Sequence, residues 1–224
     1  LDALDSKVDI SEDLIVLPGM VADSLAHASP WDNIHDKLLI DATTPLDSDP
    51  RGRRGPLEGC PESLEVSASG IDGVIQARFL RSSMLVLTTK IEGGPPPEEN
   101  VEENDEEGAK RQRVKIQNIM DSIWNLEGAK SLRWLFITDS DVDLYDEGWM
   151  RVLLWQFFCR FDVGRDLHFD MDKRRVCWDA TAPIPSLEGP VPVRRWPGVT
   201  LHDHCLLYTS DAADERSSVD LGGR

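Results

Sequence analysis

Leu132 to Asp143 reads Leu-Arg-Trp-Leu-Phe-Ile-Thr-Asp-Ser-Asp-Val-Asp, and no other stretch limits the fold as sharply. Five of its first seven residues are apolar, and it turns acidic at Asp139, Asp141 and Asp143. A short apolar run closed by turn formers reads as a buried strand of a parallel sheet. Ligands of open α/β sheets collect at the carboxyl ends of strands. The acidic turn is therefore either a working edge or the plain exit from a buried strand.

The flanking sequence gives that strand its layers. In Ala109 to Glu127, the residues Ile116, Ile119, Met120 and Ile123 recur at helical spacing, with Trp124 beside them. Lys110, Arg111, Arg113 and Lys115 on the same segment read as a solvated face or a ligand site. Glu147 to Arg160 predicts a second helix, apolar nearly all round (Trp149, Val152, Leu153, Trp155, Phe157, Phe158), which implies burial on both sides or a partner subunit. Leu167 to Phe169 and Arg175 to Trp178 predict paired strands. The order helix, strand, helix, strand signals an α/β layered sheet with helices.

Upstream, Leu14-Ile-Val-Leu predicts a strand stopped by Pro18-Gly19, and Leu38 to Ile40 a brief buried strand. Leu46 to Gly59, rich in Pro, Gly and Arg, reads as a linker. Pro61 to Ser69 suggests one or two helical turns, and Gly73 to Ile91 two strands. Glu92 to Gly108 holds Pro95-Pro-Pro97 and the acid block Glu98 to Glu107. Such composition buries no core and predicts a surface loop.

Bulk composition excludes more than it assigns. The chain has 224 residues, 40% apolar and 29% charged, enough for one or two cored domains. A net charge of -17 argues against nucleic acid as a partner, since phosphate binding needs a basic face. No run of about 18 apolar residues occurs, so no membrane span is expected. The start at Leu1 reads as a fragment boundary without a signal pattern. Cys60, Cys159, Cys177 and Cys205 include no CxxC pair, which weakens zinc and redox readings and suits a reducing, cytoplasmic compartment. No GxGxxG, GxxxxGK[ST] or GxSxG occurs.

Cys205 to Arg224, beginning Cys-Leu-Leu-Tyr-Thr-Ser, resembles a translated transposon-type sequencing adapter and is set aside from fold reasoning. His202-Asp-His204-Cys205 then ceases to be a metal motif, because its cysteine belongs to that tail. His27, His35 and His168 lack ligand-like spacing and read as ordinary surface or hydrogen-bonded histidines.

Phe136-Ile-Thr-Asp-Ser-Asp-Val-Asp143, a helix containing Trp155, and Arg160-Phe-Asp-Val-Gly-Arg-Asp166 together resemble the UbiD-type (3-octaprenyl-4-hydroxybenzoate carboxy-lyase-like) decarboxylases. Those carry V-D-D-D-V-D, a Trp-bearing helix and R-x-D-P-x-R-D. Asp179-Ala-Thr followed by Arg195-Trp-Pro is similar to the family's D-A-T…W-P. Val163 stands where the family tends to have Pro, and Cys177 where it often has Gly. Ile15-Val-Leu-Pro-Gly, Ala22 to Ser29 and Lys37-Leu-Leu-Ile-Asp-Ala-Thr43 resemble a second set of the same motifs, with Asp36 in place of a small residue. Asp-Ala-Thr thus occurs at Asp41 and Asp179, 138 positions apart. Asp5-Ser-Lys-Val-Asp and Asp139-Ser-Asp-Val-Asp form a looser pair. The expected organisation is the tail of a first C-terminal-type unit (1–60), connecting strands and acidic loop (61–108), a second unit (109–204) and the tail (205–224). The fragment is open at both ends.

The resemblance implies a carboxy-lyase that uses prenylated flavin mononucleotide (prenylated FMN), acting reversibly on aromatic or α,β-unsaturated carboxylic acids. It implies a role of the ubiquinone or menaquinone biosynthetic kind and a homo-oligomer. The catalytic Arg and two Glu, and the ligands of a divalent metal (Mn or Mg), are implied in the family's N-terminal half, so no catalytic or metal-binding residue is assigned here. The position four before the Asp of D-A-T implies cofactor-phosphate contact by Lys37 and Arg175. The alternative is exposed cations paired with Asp36 and Asp172. Asp139, Asp141 and Asp143 then read as turn and helix-cap residues. A non-catalytic duplicated scaffold is the competing reading of the chain.

Overall fold

The computed structural model describes residues 4–5, 8–21, 34–43, 58–90, 105–172, 174–184 and 186. His27, most of the linker, the acid block up to 104, Arg194 to Pro197, the His202 to His204 cluster and the 205–224 tail lie outside the described residues.

The most apolar stretch, Met84–Thr89, forms strand β4 with all six side chains buried. It has strands on both sides. Val74–Arg81 (β3) turns into it antiparallel through Ser82 and Ser83, and Trp134–Asp139 (β5) lies parallel on its other edge. Val176–Asp179 (β7) adds parallel to β5, and Leu167–Phe169 (β6) closes the edge antiparallel to β7. The sheet order is therefore β3-β4-β5-β7-β6. The 132–143 run is its central strand. Two parallel neighbours explain why it reads as a continuous apolar run rather than as an alternation.

Side chains alternate across the sheet and feed two cores. On one side Leu85, Leu87, Leu135, Ile137 and Cys177 meet Ile116, Ile119, Met120 and Ile123 of the helix Glu106–Trp124 (α3). That helix starts where Asp105 accepts a hydrogen bond from the Gly108 amide at 2.7 Å. A Cβ at Gly108 would sit 1.9 Å from that carboxylate, so the cap and the glycine require each other. The short helix Ser63–Ser69 (α2) seats Leu64 and Ala68 in the interior, and Glu65 accepts from the Phe79 amide at 2.8 Å.

The opposite side is aromatic. Trp134, Phe136 and Trp178 pack against Leu153 and Phe157 of helix Trp149–Arg160 (α4) and against Phe161. Leu153, Gln156 and Arg160 of that helix are buried, whereas Leu154, Trp155 and Phe158 are exposed. Its apolar circumference is thus half used. The four-residue helix Val163–Asp166 (α5) runs directly into β6, and a short helix near the start of the chain runs into a strand in the same way.

There, helix Ile10–Asp13 (α1) leads into a separate antiparallel hairpin, Leu14–Val21 (β1) with Ile34–Ile40 (β2). Leu14, Val16, Leu38 and Ile40 turn toward the aromatic core. Two expectations change here. Pro18-Gly19 does not stop β1; the register shifts between Leu17 and Met20 and the strand continues, as a residue without an N–H allows at a bulge. Leu38 to Ile40 extends back to Ile34 and is only partly covered.

Ile123 is fully buried and Val66 is 77% exposed. Ile123→Ala is expected to cost about 2–5 kcal/mol in urea unfolding, and Val66→Ala to stay within about 0.5 kcal/mol of the parent.

Candidate functional site

The parallel strands β4, β5 and β7 end on one edge, at Thr89, Asp139 and Asp179. Charged side chains from β5 and the turn after it, α4, α5 and β7 converge there. Arg160, at the end of α4, splits its guanidinium between Asp139 (Nη1 to Oδ2, 3.1 Å) and Asp141 (Nη2 to Oδ2, 3.0 Å). Asp139 also accepts from the Ala182 amide at 2.6 Å, which ties the segment after β7 to the same carboxylate. The Arg160 and Asp139 side chains are essentially inaccessible. Among the described residues, Asp139 Oδ1 and Arg160 Nε have no hydrogen-bond partner.

A second pair abuts the first. Arg165 donates to the Arg160 carbonyl at 2.6 Å and holds Asp166 through Nε and Nη2, both at 2.6 Å. Asp166 also accepts from the Asp162 amide at 2.8 Å, and Asp162 caps α5 by accepting from Gly164 at 2.9 Å. At the end of β7, Asp179 Oδ1 accepts from the amide and hydroxyl of Thr181, at 2.9 and 2.6 Å. His168, on β6, faces Asp179 across a cavity of about 220 Å³ that Gln112, Arg113 and Arg165 also line.

Burial dominates the protonation of these groups. It pushes Asp139 up to about 7, against the Ala182 amide and Arg160. It pushes Asp166 up to about 7, against Arg165. Asp179 is also raised by burial, against its bonds from Thr181, and His168 is lowered by burial against the pull of Asp179.

The acidic turn divides its work differently from the cap reading. Asp143 is a turn residue, accepting from the Tyr145 amide at 3.0 Å and Gln76 Nε2 at 2.9 Å. Asp139 and Asp141 clamp Arg160, and the N-cap of α4 is Gly148, at a φ of 89°. The reason is Arg160 itself: a fully buried guanidinium needs carboxylates, and these lie within reach.

Arg175 is engaged by protein. Its Nε donates to Asp170 at 2.8 Å, its Nη1 to the Trp124 carbonyl at 2.9 Å, and its guanidinium lies 5.2 Å from the Trp124 ring centroid. Its carboxylate partner is Asp170, not Asp172, because Asp170 faces it across the β6–β7 turn. Lys37 lies in β2 opposite Leu17, half-buried, in a different sheet from Arg175. Asp36, its neighbour along the strand, points to the other face. No ion pair of Lys37 occurs among the described residues. His168, read as an ordinary histidine, belongs to the buried cluster; no local spacing marks it, since its partner Asp179 reaches it only through strand pairing. Of the four cations on α3, Arg111 pairs with Asp105 at 3.9 Å with both exposed, and Lys110, Arg111 and Lys115 border an open groove with Lys90. Among the described residues, no three His, Cys, Asp or Glu side chains are grouped to hold a metal ion.

Residues 107–186 match the family model described as the 3-octaprenyl-4-hydroxybenzoate carboxy-lyase C-terminal domain. The matched part is similar to that domain and contains the acidic turn, Arg160, Arg165-Asp166 and Asp179-Ala-Thr. A phenolic acid decarboxylase of Streptomyces sp. (strain D7) is 37% identical over 67 residues, 30% of this chain and 14% of that protein. The open form of Sedimentibacter hydroxybenzoicus vanillic acid decarboxylase aligns at 13% identity and TM-score 0.39, covering 70% of this chain and 32% of that one. An evolved dimeric form of the UbiD-class enzyme HmfF from Pelotomaculum thermopropionicum, in complex with prFMN, aligns at 16% identity and TM-score 0.35, covering 62% and 28%. The chain thus spans no more than about a third of the length of these relatives. No helix among the described residues is long and apolar enough to cross a membrane.

Arg160→Met is expected to destabilise by about 3–5 kcal/mol, because it strands a buried carboxylate. Arg160→Lys is expected to recover less than half of that in urea unfolding, since one ammonium cannot fork to two carboxylates. The raised Asp139 and Asp166 give a signed pH effect. The unfolded chain releases these protons near pH 4, whereas the folded chain keeps them to about 7. Their contribution to stability therefore falls as pH rises between about 4 and 7 and is level above that. Thermal unfolding across this range is expected to show a shallower fall for Asp166→Asn than for the parent.

Proposed function

We propose that this chain is the C-terminal region of a UbiD-type carboxy-lyase that carries out reversible, non-oxidative decarboxylation of aromatic or α,β-unsaturated carboxylic acids with prenylated FMN. The observation that carries the reading is the family match over residues 107–186. The decarboxylase activity in the name of the Streptomyces relative supports the reaction class.

In this reading prenylated FMN, when bound, would supply the electron sink that makes loss of CO2 feasible. The chain's own residues hold and support. Lys37, a half-buried cation without an ion pair among the described residues, fits a point-charge contact to the flavin phosphate. Arg175, already bonded to Asp170 and the Trp124 carbonyl, fits a lesser share of that charge. The Arg160 clamp fixes the strand ends on which such a site would rest. The catalytic Arg and Glu residues and the Mn or Mg ligands belong to sequence outside this chain. The exposed Leu154, Trp155 and Phe158 of α4 suit assembly into a homo-oligomer, with the enzyme working in the cytoplasm.

The test uses the full-length protein loaded with prenylated FMN. Lys37→Ala is expected to retain at least about 10-fold less flavin at a fixed wash, as loss of a charged contact to phosphate implies, with an unchanged melting temperature. Undiminished retention removes Lys37 from the site. Failure of the loaded parent to release CO2 from any phenolic or unsaturated acid overturns the decarboxylase reading.

A further inference from the structure

The cavity of about 220 Å³ between α3 and the β6–β7 edge has a built wall and spare donors. Gln112 and Arg113 of α3, Arg165 and Asp166 of α5, His168 of β6 and Asp179 of β7 face it. Gln112 commits its whole amide to the segment after β7. Its Nε2 donates to the Ala182 carbonyl at 2.8 Å and to Thr181 Oγ1 at 3.1 Å, and its Oε1 accepts from the Ile184 amide at 3.3 Å. The space lies at the carboxyl end of β7, where open α/β sheets take ligands.

The other polar groups are unequally used. Arg165 spends Nε and Nη2 on Asp166 and the Arg160 carbonyl and leaves Nη1 unused. Among the described residues, Arg113 makes no ion pair or hydrogen bond, and the ring nitrogens of His168 make no hydrogen bond. Unlike Asp139 Oδ1 and Arg160 Nε, these spare donors are not sealed inside the protein. Of the acids, Asp166 is held by Arg165, and Asp179 Oδ1 by the amide and hydroxyl of Thr181. Burial pushes Asp166 up to about 7 and raises Asp179, so both stand closer to neutral than ordinary carboxylates. A cation would meet two guanidinium groups here, and a neutral guest would leave them uncompensated. A volume of about 220 Å³ is roughly seven waters' worth at about 30 Å³ each, which suits an ion of a few heavy atoms and is too small for a flavin.

We infer that this cavity is a binding site for a small oxyanion of sulfate or phosphate size, held by Arg113, by Arg165 Nη1 and by His168 in its protonated form. Guanidinium groups from two elements supply the charge-assisted donors that oxyanions select. A protonated imidazole has two donors, enough to serve Asp179 and the anion together. Burial lowers His168, so the anion takes up a proton wherever the ring is otherwise neutral, and affinity rises as pH falls. Asp166 and Asp179 act in the same sense, since each repels the anion less once protonated. Cys177, opposite His168 in the strand pair, stays a neutral thiol because burial raises it further. Neither Lys37 nor Arg175 borders this cavity, so the site is separate from the flavin contact and does not rest on the decarboxylase reading.

The test is calorimetric titration of the whole chain with sodium sulfate, whose charge does not change near neutrality, at constant ionic strength. Saturable one-site binding is expected, at least about 5-fold tighter at about pH 6 than at about pH 8, on either side of an ordinary histidine. Arg165 is left intact, because its loss strands a buried carboxylate. Arg113→Gln is expected to weaken binding at least about 3-fold, as loss of an exposed charge contact implies. Arg111→Gln, the same charge change on the part of α3 that borders the Lys90 groove, is expected to leave it unchanged. By NMR, the His168 ring signal, assigned by its loss in His168→Gln, is expected to titrate at higher pH in sulfate than in chloride. Absence of saturable binding overturns the site. Equal weakening by Arg111→Gln and Arg113→Gln means diffuse charge or the Lys90 groove, and overturns it too. A His168 titration that sulfate leaves unmoved does the same. No outcome depends on flavin or turnover.

Discussion

A guanidinium with no access to water has to be neutralised where it lies, and Arg160 is neutralised by two aspartates from a turn that precedes its own helix. That requirement positions much else. It fixes the end of α4 against the end of β5, and through the Ala182 amide it draws the segment after β7 over the same strand ends. Through its carbonyl it steadies Arg165, whose fork holds Asp166 and with it the start of β6. The parallel strands would pair without this network. Their exits would not share one rigid edge.

The sequence was legible where one element decided its own fate. The apolar period of α3, the continuous run of β5 and the strand pair in Gly73 to Ile91 follow from local pattern, because each buries a face or a whole strand against the sheet. The α/β class follows from their order. The acidic turn was legible as an exit from a buried strand and illegible as a clamp. Arg160 lies 21 positions from Asp139, and nothing in the local pattern says that a helix will carry it back. His168 and Asp179 escaped for the same reason. The internal repeat was half visible. Asp-Ala-Thr marked its end, but its start was sought in Asp5 and Asp139, which occupy unlike places: Asp5 caps the Ser82-Ser83 turn and Asp139 ends β5. The spacing Asp-x-x-x-Asp-Leu, present at Asp9 and again at Asp162, is the signal that marks it.

Lys37 and Arg175 show how position and circumstance separate. They occupy the same place in the repeated unit, each four residues before an Asp-Ala-Thr aspartate. Arg175 has a roof and spends its donors on that roof, on the Trp124 carbonyl and ring. Among the described residues Lys37 has no such roof. A residue's charge is set by its type, but whether that charge is available to a ligand depends on which neighbours the fold supplies.

The two faces of the sheet are unequal in a way that bears on motion. The α3 side is filled by interlocking aliphatic side chains. The α4 side is built of large rings around a cavity of about 420 Å³ bordered by Leu38, Ile40, Phe136, Leu153, Phe161 and Trp178. Rings that border an open pocket have fewer protein neighbours than interlocked side chains, and so more room to repack. The molecule thus has a hard seam and a soft one. Side-chain rearrangement is therefore easier on the α4 face, within the limit that the Arg160 clamp sets on α4 itself.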